Sequence, residues 1–305
     1  MDQFYFVLTN PEVEELLKAE ISKGFPQFKL SYSRKGFLTF KGPTATKFFP
    51  WMARISGYCL GKKSLDELLT LPKAWVWKRE ETYQVPESLQ NLSDNSLFKV
   101  GEVVKLIMMV GPSEFWLGEY ILSQNHFQTP GEVSSIEPRE DVPSRAYYKL
   151  AEAFEAFDLP MDAGENVLEL GSAPGGASLF LLEQDLKVFG VDPAEMDPEI
   201  LKHRNFKHLR KPFEFVNEHN LKEDIDWIVS DVNLPPTVVM KEVERLLSFI
   251  NPKGMVITLK LNQPRYLSVL KPIVAFCREK GFKRVALKYL PGHRQEIALV
   301  CLSEI

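Results

Sequence analysis

The sequence has little of what disulfide-stabilised, zinc-binding or membrane-spanning proteins need. Its 305 residues include three cysteines, Cys59, Cys277 and Cys301, which are widely spaced and form no C-x-x-C pair. This odd, scattered set gives neither a disulfide framework nor a zinc signature. No apolar stretch approaches the roughly 18 residues of a membrane span, and the N-terminus has no basic leader. We therefore expect a cytoplasmic protein with no metal site and no membrane partner.

The sequence also has no excess of positive charge, since its formal net charge is −4 at pH 7. Global charge neither proves nor excludes nucleic-acid binding, but it requires that any RNA partner meet a local basic face. Three stretches are candidates for such a face: residues 33–41, residues 203–211 and Lys62-Lys63. Basic residues beside phenylalanines suit phosphate contact and base stacking. The alternative for each stretch is a solvated surface above buried core aromatics.

The stretch from Asn166 to Gly176 reads N-V-L-E-L-G-S-A-P-G-G, which predicts a strand, a tight turn and the start of a helix. Glycines there let a ligand approach bare backbone N–H groups, so a nucleotide-like ligand is expected. A phosphate-binding loop is disfavoured because Ala177 stands where its lysine should be. The G-x-G-x-x-G spacing of dinucleotide-binding sites is also missing, which makes NAD a second choice.

A second strand, V-F-G-V-D, ends at Asp192, about 20 residues after Gly171, where a ribose diol would need an acceptor. A glycine turn and a strand-end acid, without a pyrophosphate site, suit an adenosine ligand. S-adenosylmethionine fits this combination best.

The pattern along the chain predicts two α/β domains. Residues 1–123 read as a small α+β domain, in which we expect a helix over 44–56 and a polar loop over 91–96. Residues 124–142 lack periodicity and read as a linker. In residues 143–305 strands alternate with helices, which is typical of a mostly parallel, Rossmann-like sheet. The connection P-G-H-R-Q is too short for a crossover, so the last strand should be antiparallel.

Charged residues follow or begin several strands of this second domain. Asp231 ends W-I-V-S-D, Lys260 ends V-I-T-L-K, and Glu296 begins the last strand. Ligands of such sheets bind at the carboxyl ends of the strands. A lysine that closes an apolar strand is costly to bury unless it has partners or a task. Singly, these residues could be a snorkelling lysine, a strand cap and a solvated edge acid.

Together with Lys149 in V-P-S-R-A-Y-Y-K-L, these residues resemble the Lys-Asp-Lys-Glu tetrad of the FtsJ/RrmJ class of ribose 2′-O-methyltransferases. The order Lys149, Asp231, Lys260, Glu296 matches, and the resemblance covers Val142 to the C-terminus. Within that class the chain is most similar to the RlmM-type methyltransferases of 23S rRNA, which share P-S-R, P-G-G and an H-x-R-x-E ending. Two N-terminal stretches also resemble the ferredoxin-like and THUMP region of that family, in a shortened form.

The resemblance implies an S-adenosylmethionine-dependent RNA methyltransferase that acts as a monomer, with 23S rRNA as the expected substrate. It implies Lys260 as the general base, Lys149 at the ribose 2′-hydroxyl, and Asp231 and Glu296 as the acids that position the lysines. It implies the following cofactor contacts: Ser144, Gly171, Ala173, Pro174, Gly175, Gly176, Asp192 and Asp231. The acidic adenine contact of the class falls at Lys211-Pro212, where no acid stands.

Two other functions stay open at this point. One is a non-catalytic RNA-binding or ribosome-assembly protein that retains the methyltransferase fold, which an intact tetrad argues against. The other is an NAD-dependent oxidoreductase, which the glycine spacing argues against.

Overall fold

A computed structural model of the chain describes residues 2–44, 46–221 and 223–304. The chain divides into two compact units, Met1–Ser135 and Ile136–Ile305. The division falls within residues 124–142, where the sequence predicts a linker. Each unit contains a seven-stranded sheet.

The N-terminal unit is a mostly antiparallel sheet with short helices. Its elements are β1 (Asp2–Leu8), α1 (Glu14–Gly24), β2 (Lys29–Arg34), β3 (Phe37–Pro43), β4 (Ile55–Lys63), α2 (Leu65–Leu69), β5 (Trp75–Lys78), α3 (Glu87–Asp94), β6 (Val103–Gly111) and β7 (Glu114–Ile121). The strand order is β2-β3-β1-β4-β7-β6-β5, in which only β5 and β6 are parallel among the described pairs. This is an α+β arrangement, and its likeness to a ferredoxin-like or THUMP domain stays a prediction.

Strand β6 shows why this sheet forms. Its alternate side chains Leu106, Met108 and Val110 lie in one buried cluster, whereas Ile107 and Met109 lie in another. Because side chains of a strand alternate between faces, the apolar run covers both faces of the sheet.

The helix expected over residues 44–56 is wrong. The described residues from 46 to 54 form no helix, and β4 begins at Ile55. Pro50 explains the difference, since a proline inside a helix removes a hydrogen bond and clashes with the preceding turn. The buried carboxylate of Glu20 instead holds this segment, by accepting hydrogen bonds from Trp51 N at 2.6 Å and Met52 N at 2.9 Å. The polar loop expected over 91–96 is also wrong in part, because α3 extends to Asp94.

The C-terminal unit alternates strands and helices. Its elements are α4 (Ala146–Phe157), β8 (Asn166–Leu170), α5 (Gly176–Glu183), β9 (Lys187–Val191), α6 (Pro198–Lys202), β10 (Phe206–Leu209), β11 (Trp227–Ser230), α7 (Pro236–Leu246), β12 (Gly254–Lys260), α8 (Leu270–Glu279), β13 (Arg284–Lys288) and β14 (Glu296–Leu302). A 3₁₀ helix, Pro264–Val269, precedes α8.

The sheet of this unit has the order β10-β9-β8-β11-β12-β14-β13. Neighbouring strands from β10 to β12 are parallel, and β14 is antiparallel to both β12 and β13. The predicted Rossmann-like sheet with an antiparallel last strand is therefore confirmed. Its strand order changes direction at β8, between β9 and β11, and such a switch point opens a crevice at the carboxyl ends of the strands.

Two further features concern the described residues as a whole. No helix among them is both long and apolar enough to cross a membrane. In the described part of the chain, no group of three or more His, Cys, Asp or Glu side chains could hold a metal ion.

Candidate active site

Three central strands bring the predicted catalytic residues to one edge. Lys260 is the last residue of β12 and lies opposite Glu296, the first residue of β14. Asp231 directly follows β11, whose last residue, Ser230, pairs with Ile257 of β12. Because β12 and β14 are antiparallel, the end of one strand and the start of the other meet at the same point.

The four predicted catalytic side chains form a closed ring in which cations and carboxylates alternate. Lys149 Nζ lies 3.0 Å from Asp231 Oδ2 and 2.8 Å from Glu296 Oε1. Lys260 Nζ lies 2.5 Å from Asp231 Oδ1 and 2.6 Å from Glu296 Oε2. Each lysine therefore contacts both acids, and each acid contacts both lysines.

The ring is mostly buried, with side-chain exposures from 8% to 17%. Burial lowers the pKa of Lys260, but the charges and hydrogen bonds of Asp231 and Glu296 outweigh burial, so the net pKa lies above its ordinary value. The neighbouring cation, Lys149, therefore does not make Lys260 a ready base in this resting arrangement. The opposite charges make it an ammonium.

Helix α4 supplies Lys149 and also fixes the loop that precedes Glu296. Arg145 Nη2 donates a hydrogen bond to the carbonyl of Gly292 at 2.7 Å. The carboxylate of Glu152, one turn after Lys149, accepts a hydrogen bond from Gly292 N at 2.7 Å. One helix thus holds one lysine of the ring and the backbone that carries one acid of the ring.

His293 lies beside the ring and is 1% exposed. Tyr289 Oη donates a hydrogen bond to its carbonyl at 2.8 Å. Burial lowers the pKa of His293 to about 4, and the charges of the ring act on it in both directions. Burial raises the pKa of Glu296, whereas the charges of His293, Lys260 and Lys149 hold it at about 2. Because His293 is neutral at neutral pH, the two lysines are what keep Glu296 ionised there.

The glycine turn lies between β8 and α5. Gly175 has φ +123°, a conformation that residues with a side chain rarely adopt. A Cβ on Gly176 would stand 2.2 Å from Ser144 Oγ. Ser144 therefore packs directly against the turn at Gly176, where a side chain would not fit, and its role as a cofactor contact stays a prediction.

Asp192 follows β9 and is tied to the same turn. Its Oδ2 accepts a hydrogen bond from Ala173 N at 3.2 Å, and its Oδ1 accepts one from Ala194 N at 2.8 Å. A carboxylate has about four lone-pair sites, so these two bonds leave acceptor capacity for a ribose diol. The turn and Asp192 thus fit an adenosine-type cofactor.

Glu169 is a buried acid near this edge that is not among the site residues predicted from the sequence. It lies in β8, is 2% exposed, and accepts a hydrogen bond from Ser178 Oγ of α5 at 2.5 Å. Burial raises its pKa to about 8, with a further rise from the charges of Asp231 and Asp192. The signal was present in the sequence as a single acid inside the apolar run V-L-E-L.

The segment after β10 carries no acidic adenine contact at Lys211-Pro212. A 3₁₀ helix, Phe213–Phe215, follows there. Arg245 of α7 donates hydrogen bonds to the carbonyls of Phe213 at 2.9 Å and Val216 at 2.6 Å. The described contacts of this segment therefore anchor its backbone and identify no acid for the adenine.

This sheet, with its glycine turn and charged edge, has the architecture of Rossmann-like methyltransferases. Residues 142–288 match the sequence model of the family described as FtsJ-like methyltransferase. The C-terminal unit is therefore an FtsJ-like methyltransferase domain. The family match supports S-adenosylmethionine as its cofactor.

Curated relatives show the same likeness at modest identity. The Ribosomal RNA large subunit methyltransferase M of Shewanella sp. strain ANA-3 is 26% identical over 206 residues, covering 63% of this chain and 56% of the relative. The protein of the same name from Shewanella frigidimarina is 30% identical over 148 residues, covering 45% of this chain and 39% of the relative. The chain thus spans about half the length of these relatives, or less.

Among solved structures, Aeropyrum pernix fibrillarin with bound S-adenosyl-L-methionine is 18% identical, with a TM-score of 0.41 over 67% of this chain and 84% of that chain. At that score the likeness carries no argument about activity.

Proposed function

We propose that the protein is an S-adenosylmethionine-dependent RNA ribose 2′-O-methyltransferase whose substrate is ribosomal RNA, with 23S rRNA as the expected molecule. The observation that carries this proposal is the closed ring of Lys149, Asp231, Lys260 and Glu296 at the sheet edge that also holds the glycine turn. The names of the Shewanella relatives support the choice of RNA.

The proposed cofactor site is the turn from Gly171 to Gly176 with its neighbours. The bare backbone of the turn would hold the amino-acid part of the cofactor, and Asp192 would accept hydrogen bonds from its ribose hydroxyls. Ser144, Ala173, Pro174 and Asp231 complete the proposed contacts. When bound, S-adenosylmethionine supplies an electrophilic methyl group on a sulfonium.

The proposed chemistry is an in-line displacement that this chain assists by alignment and by removal of one proton. The bound cofactor would supply the methyl group to the ribose 2′-oxygen, and Lys260 Nζ would accept the proton that the hydroxyl loses. Lys260 must therefore first lose a proton of its own. Because opposite charges raise its pKa, a positive charge brought near the ring would favour that loss.

Lys149 would then remain as the cation that orients the 2′-oxygen, while Asp231 and Glu296 hold both nitrogens in place. Each acid contacts both lysines, so neither lysine can shift without breaking two ion pairs.

The N-terminal unit has a surface that supports RNA binding in this proposal. The rings of Tyr32 in β2 and Trp116 in β7 lie 4.8 Å apart between centroids. The guanidinium of Arg34 lies 5.0 Å from the centroid of Tyr32, and Lys62 Nζ lies 5.5 Å from both rings. Aromatic rings flanked by cations suit unpaired bases and phosphates. The predicted stretch 33–41 and Lys62 contribute to this cluster.

Other predicted basic residues are already paired within the fold. Lys41 lies 3.6 Å from Asp2, and Arg210 in the stretch 203–211 lies 3.3 Å from Glu195. Phe37 and Phe40 of the first stretch are buried, as the alternative interpretation expected. Lys62 is paired as well, with Glu114 at 2.6 Å, so ion pairing alone does not favour one of these stretches over the other.

The experiment that tests the proposed function is a map of ribose methylation. Ribosomal RNA from cells that lack the gene is compared with RNA from parent cells, and the undermethylated RNA is then incubated with the purified full chain and S-adenosylmethionine. We expect one or a few 2′-O-methyl groups to be absent from the RNA of cells that lack the gene. Incubation of that RNA with the full chain and S-adenosylmethionine should restore them.

Two controls accompany this experiment. The Lys260→Ala variant should restore no methyl group, and calorimetric titration should detect S-adenosylhomocysteine but not NADH. An unchanged rRNA map would reject the substrate, methylation of a base would reject the ribose chemistry, and binding of NADH alone would favour an oxidoreductase. Binding of RNA and cofactor without transfer would favour the non-catalytic alternative.

The proposal also keeps the monomeric state and the cytoplasmic location that the sequence predicts. Sedimentation of the purified full chain tests the monomer, and the location follows from where ribosomal RNA is modified.

A further inference from the structure

A small cavity lies beneath one side of the ring. Residues of α4, α5, β11, β12 and β14 line it, together with His293. The volume open to the centre of a water molecule is about 10 Å³, close to what one bound water needs. Its polar lining consists of Lys149, Ser230, Asp231, Thr258 and His293.

Ser230 is the residue in this lining that needs a partner. It is 2% exposed, and its Oγ has no hydrogen-bond partner among the described residues. A buried hydroxyl without a hydrogen bond is costly and rare in folded proteins. A water molecule in the adjacent cavity would remove that cost.

The two lysines of the ring differ in their relation to this cavity. Lys149 lines it and Lys260 does not. An ammonium group has three N–H donors. Lys149 Nζ lies 3.2 and 3.0 Å from the two oxygens of Asp231, which can share one N–H, and 2.8 Å from Glu296 Oε1, which accepts a second. Lys260 directs donors to the same two acids. The third N–H of Lys149 then needs another acceptor, and the cavity that Lys149 lines has room for one.

We propose that the cavity binds one internal water molecule, which accepts a hydrogen bond from Lys149 Nζ and bonds to Ser230 Oγ, so that Ser230 is a positioning residue for Lys149. The other charged or titratable groups that face Lys149 are Asp231, which follows β11, Lys260 of β12, Glu296 of β14 and His293 of the loop before β14. His293 is neutral at neutral pH, so it adds no further charge beside Lys149.

The proposal distinguishes the two lysines. Lys149 would be held from beneath by the water as well as from the side by the two acids. Lys260 would be held by the acids alone, which leaves one position on its nitrogen to accept the proton of a substrate hydroxyl, while Lys149 acts on the 2′-oxygen through its charge. This last consequence rests on the proposed function, whereas the water and its bonds do not.

The first test is a high-resolution crystal structure of the full chain and of its Ser230→Ala variant. We expect a well-ordered water within hydrogen-bond distance of Ser230 Oγ and Lys149 Nζ, and we expect its density to weaken or vanish in the variant. An empty cavity in the unmodified protein would overturn the proposal.

The second test measures hydrogen exchange of the lysine ammonium groups by NMR in ¹⁵N-lysine-labelled full chain. Signals of Lys149 and Lys260 are assigned from Lys149→Arg and Lys260→Arg variants. Ser230→Ala should speed exchange of the Lys149 ammonium about tenfold, the factor expected for one lost hydrogen bond to a charged group. The Lys260 signal should not change.

Matched controls keep this test decisive. Ser268→Ala makes the same chemical change at a serine whose Oγ donates to the carbonyl of Arg265, away from the cavity, and should change neither signal. Thr258→Val removes the other hydroxyl of the lining and serves if Ser230→Ala does not fold. If the exchange rates of the Lys149 and Lys260 ammonium groups in every variant equal those in the unmodified protein, the proposal is overturned.

A kinetic readout separates positioning from folding. Ser230→Ala should lower kcat and leave KM for S-adenosylmethionine unchanged, because Lys149 and not the cofactor turn is affected. The crystal structure and the exchange measurement do not depend on methyl transfer. If the protein is inactive but binds the water and shows slow exchange at Lys149, the proposed function is contradicted and the proposed water site is not.

Discussion

Glu20 in the N-terminal unit and the ring in the C-terminal unit bury ionisable groups in different ways. In the N-terminal unit the carboxylate of Glu20 accepts hydrogen bonds from two backbone N–H groups, Trp51 N and Met52 N. In the C-terminal unit Asp231 and Glu296 accept their recorded hydrogen bonds from lysine ammonium groups. One arrangement ties an acid to the backbone, and the other ties side-chain charges to one another.

This difference indicates what each arrangement can do. An acid that satisfies backbone donors fixes the path of the chain, because those donors have no other partner. Charges that satisfy one another can exchange a proton and rearrange without unfolding the backbone. The ring is therefore suited to proton transfer, whereas Glu20 is suited to holding the backbone of its segment in place.

The largest expected effect is on the ring. Lys260→Ala should lower methyl transfer by about 10³–10⁴-fold, or about 4–5.5 kcal/mol of activation free energy, because the proton acceptor is lost. Cofactor affinity, measured by calorimetry, should remain nearly unchanged. A variant that transfers methyl groups at the unmodified rate would remove Lys260 from the base role.

Lys253 offers a matched control for this variant. It also pairs with two acids, Glu165 and Asp226, but its side chain is 58% exposed, and it lies just before β12. Lys253→Ala should leave methyl transfer unchanged, since an exposed pair lies away from the ring and contributes little. Equal losses in the two variants would mean that the effect is structural.

The next effect tests the other side of the comparison. Glu20→Ala leaves two backbone N–H groups without their acceptor and should lower the free energy of unfolding by about 4 kcal/mol, at about 2 kcal/mol for each group. Urea unfolding followed by tryptophan fluorescence measures the change. Glu15→Ala, at an 88% exposed position of the same helix, is the control and should change little.

A third effect follows from the pKa of His293, which burial lowers to about 4 from an ordinary value of 6.5. The unfolded chain then binds a proton between pH 6.5 and 4 that the folded chain does not bind. The contribution of His293 to stability is therefore complete above about pH 6.5 and is lost as the pH is lowered to 4, by about 3 kcal/mol. Thermal unfolding of the full chain at pH 7, 5.5 and 4 measures it.

His293→Gln isolates this contribution. It should flatten the profile between pH 6.5 and 4 and leave the loss at lower pH, where Glu296 is protonated as the pH falls from 4.5 toward its folded pKa of about 2. A profile that is equally steep in both proteins would assign the acid sensitivity to another group.

The sequence predicted the C-terminal sheet and its edge well because each strand there is a short apolar run that ends in a charged or glycine residue. It could not give the closed ring, since the contact between Lys149 and Glu296 joins residues 147 positions apart through the tertiary fold. The roles of Glu20 and His293 were also hidden. Their partners and their burial depend on packing, which no local pattern encodes.

The smallest effect is expected at Glu169, whose pKa burial raises to about 8. It is protonated in the folded chain at pH 7, and in both the folded and the unfolded chain near pH 4, so Glu169→Gln should change stability at pH 4 by less than about 1 kcal/mol. The unfolded chain loses this proton near pH 4.5, so the acid's contribution is complete below that pH and is lost as the pH rises through 8. Chemical denaturation at pH 6 and pH 9 should therefore show a larger loss for the unmodified protein than for Glu169→Gln. A strong loss in the variant at pH 7 would mean that Glu169 is ionised and belongs with the charges of the ring.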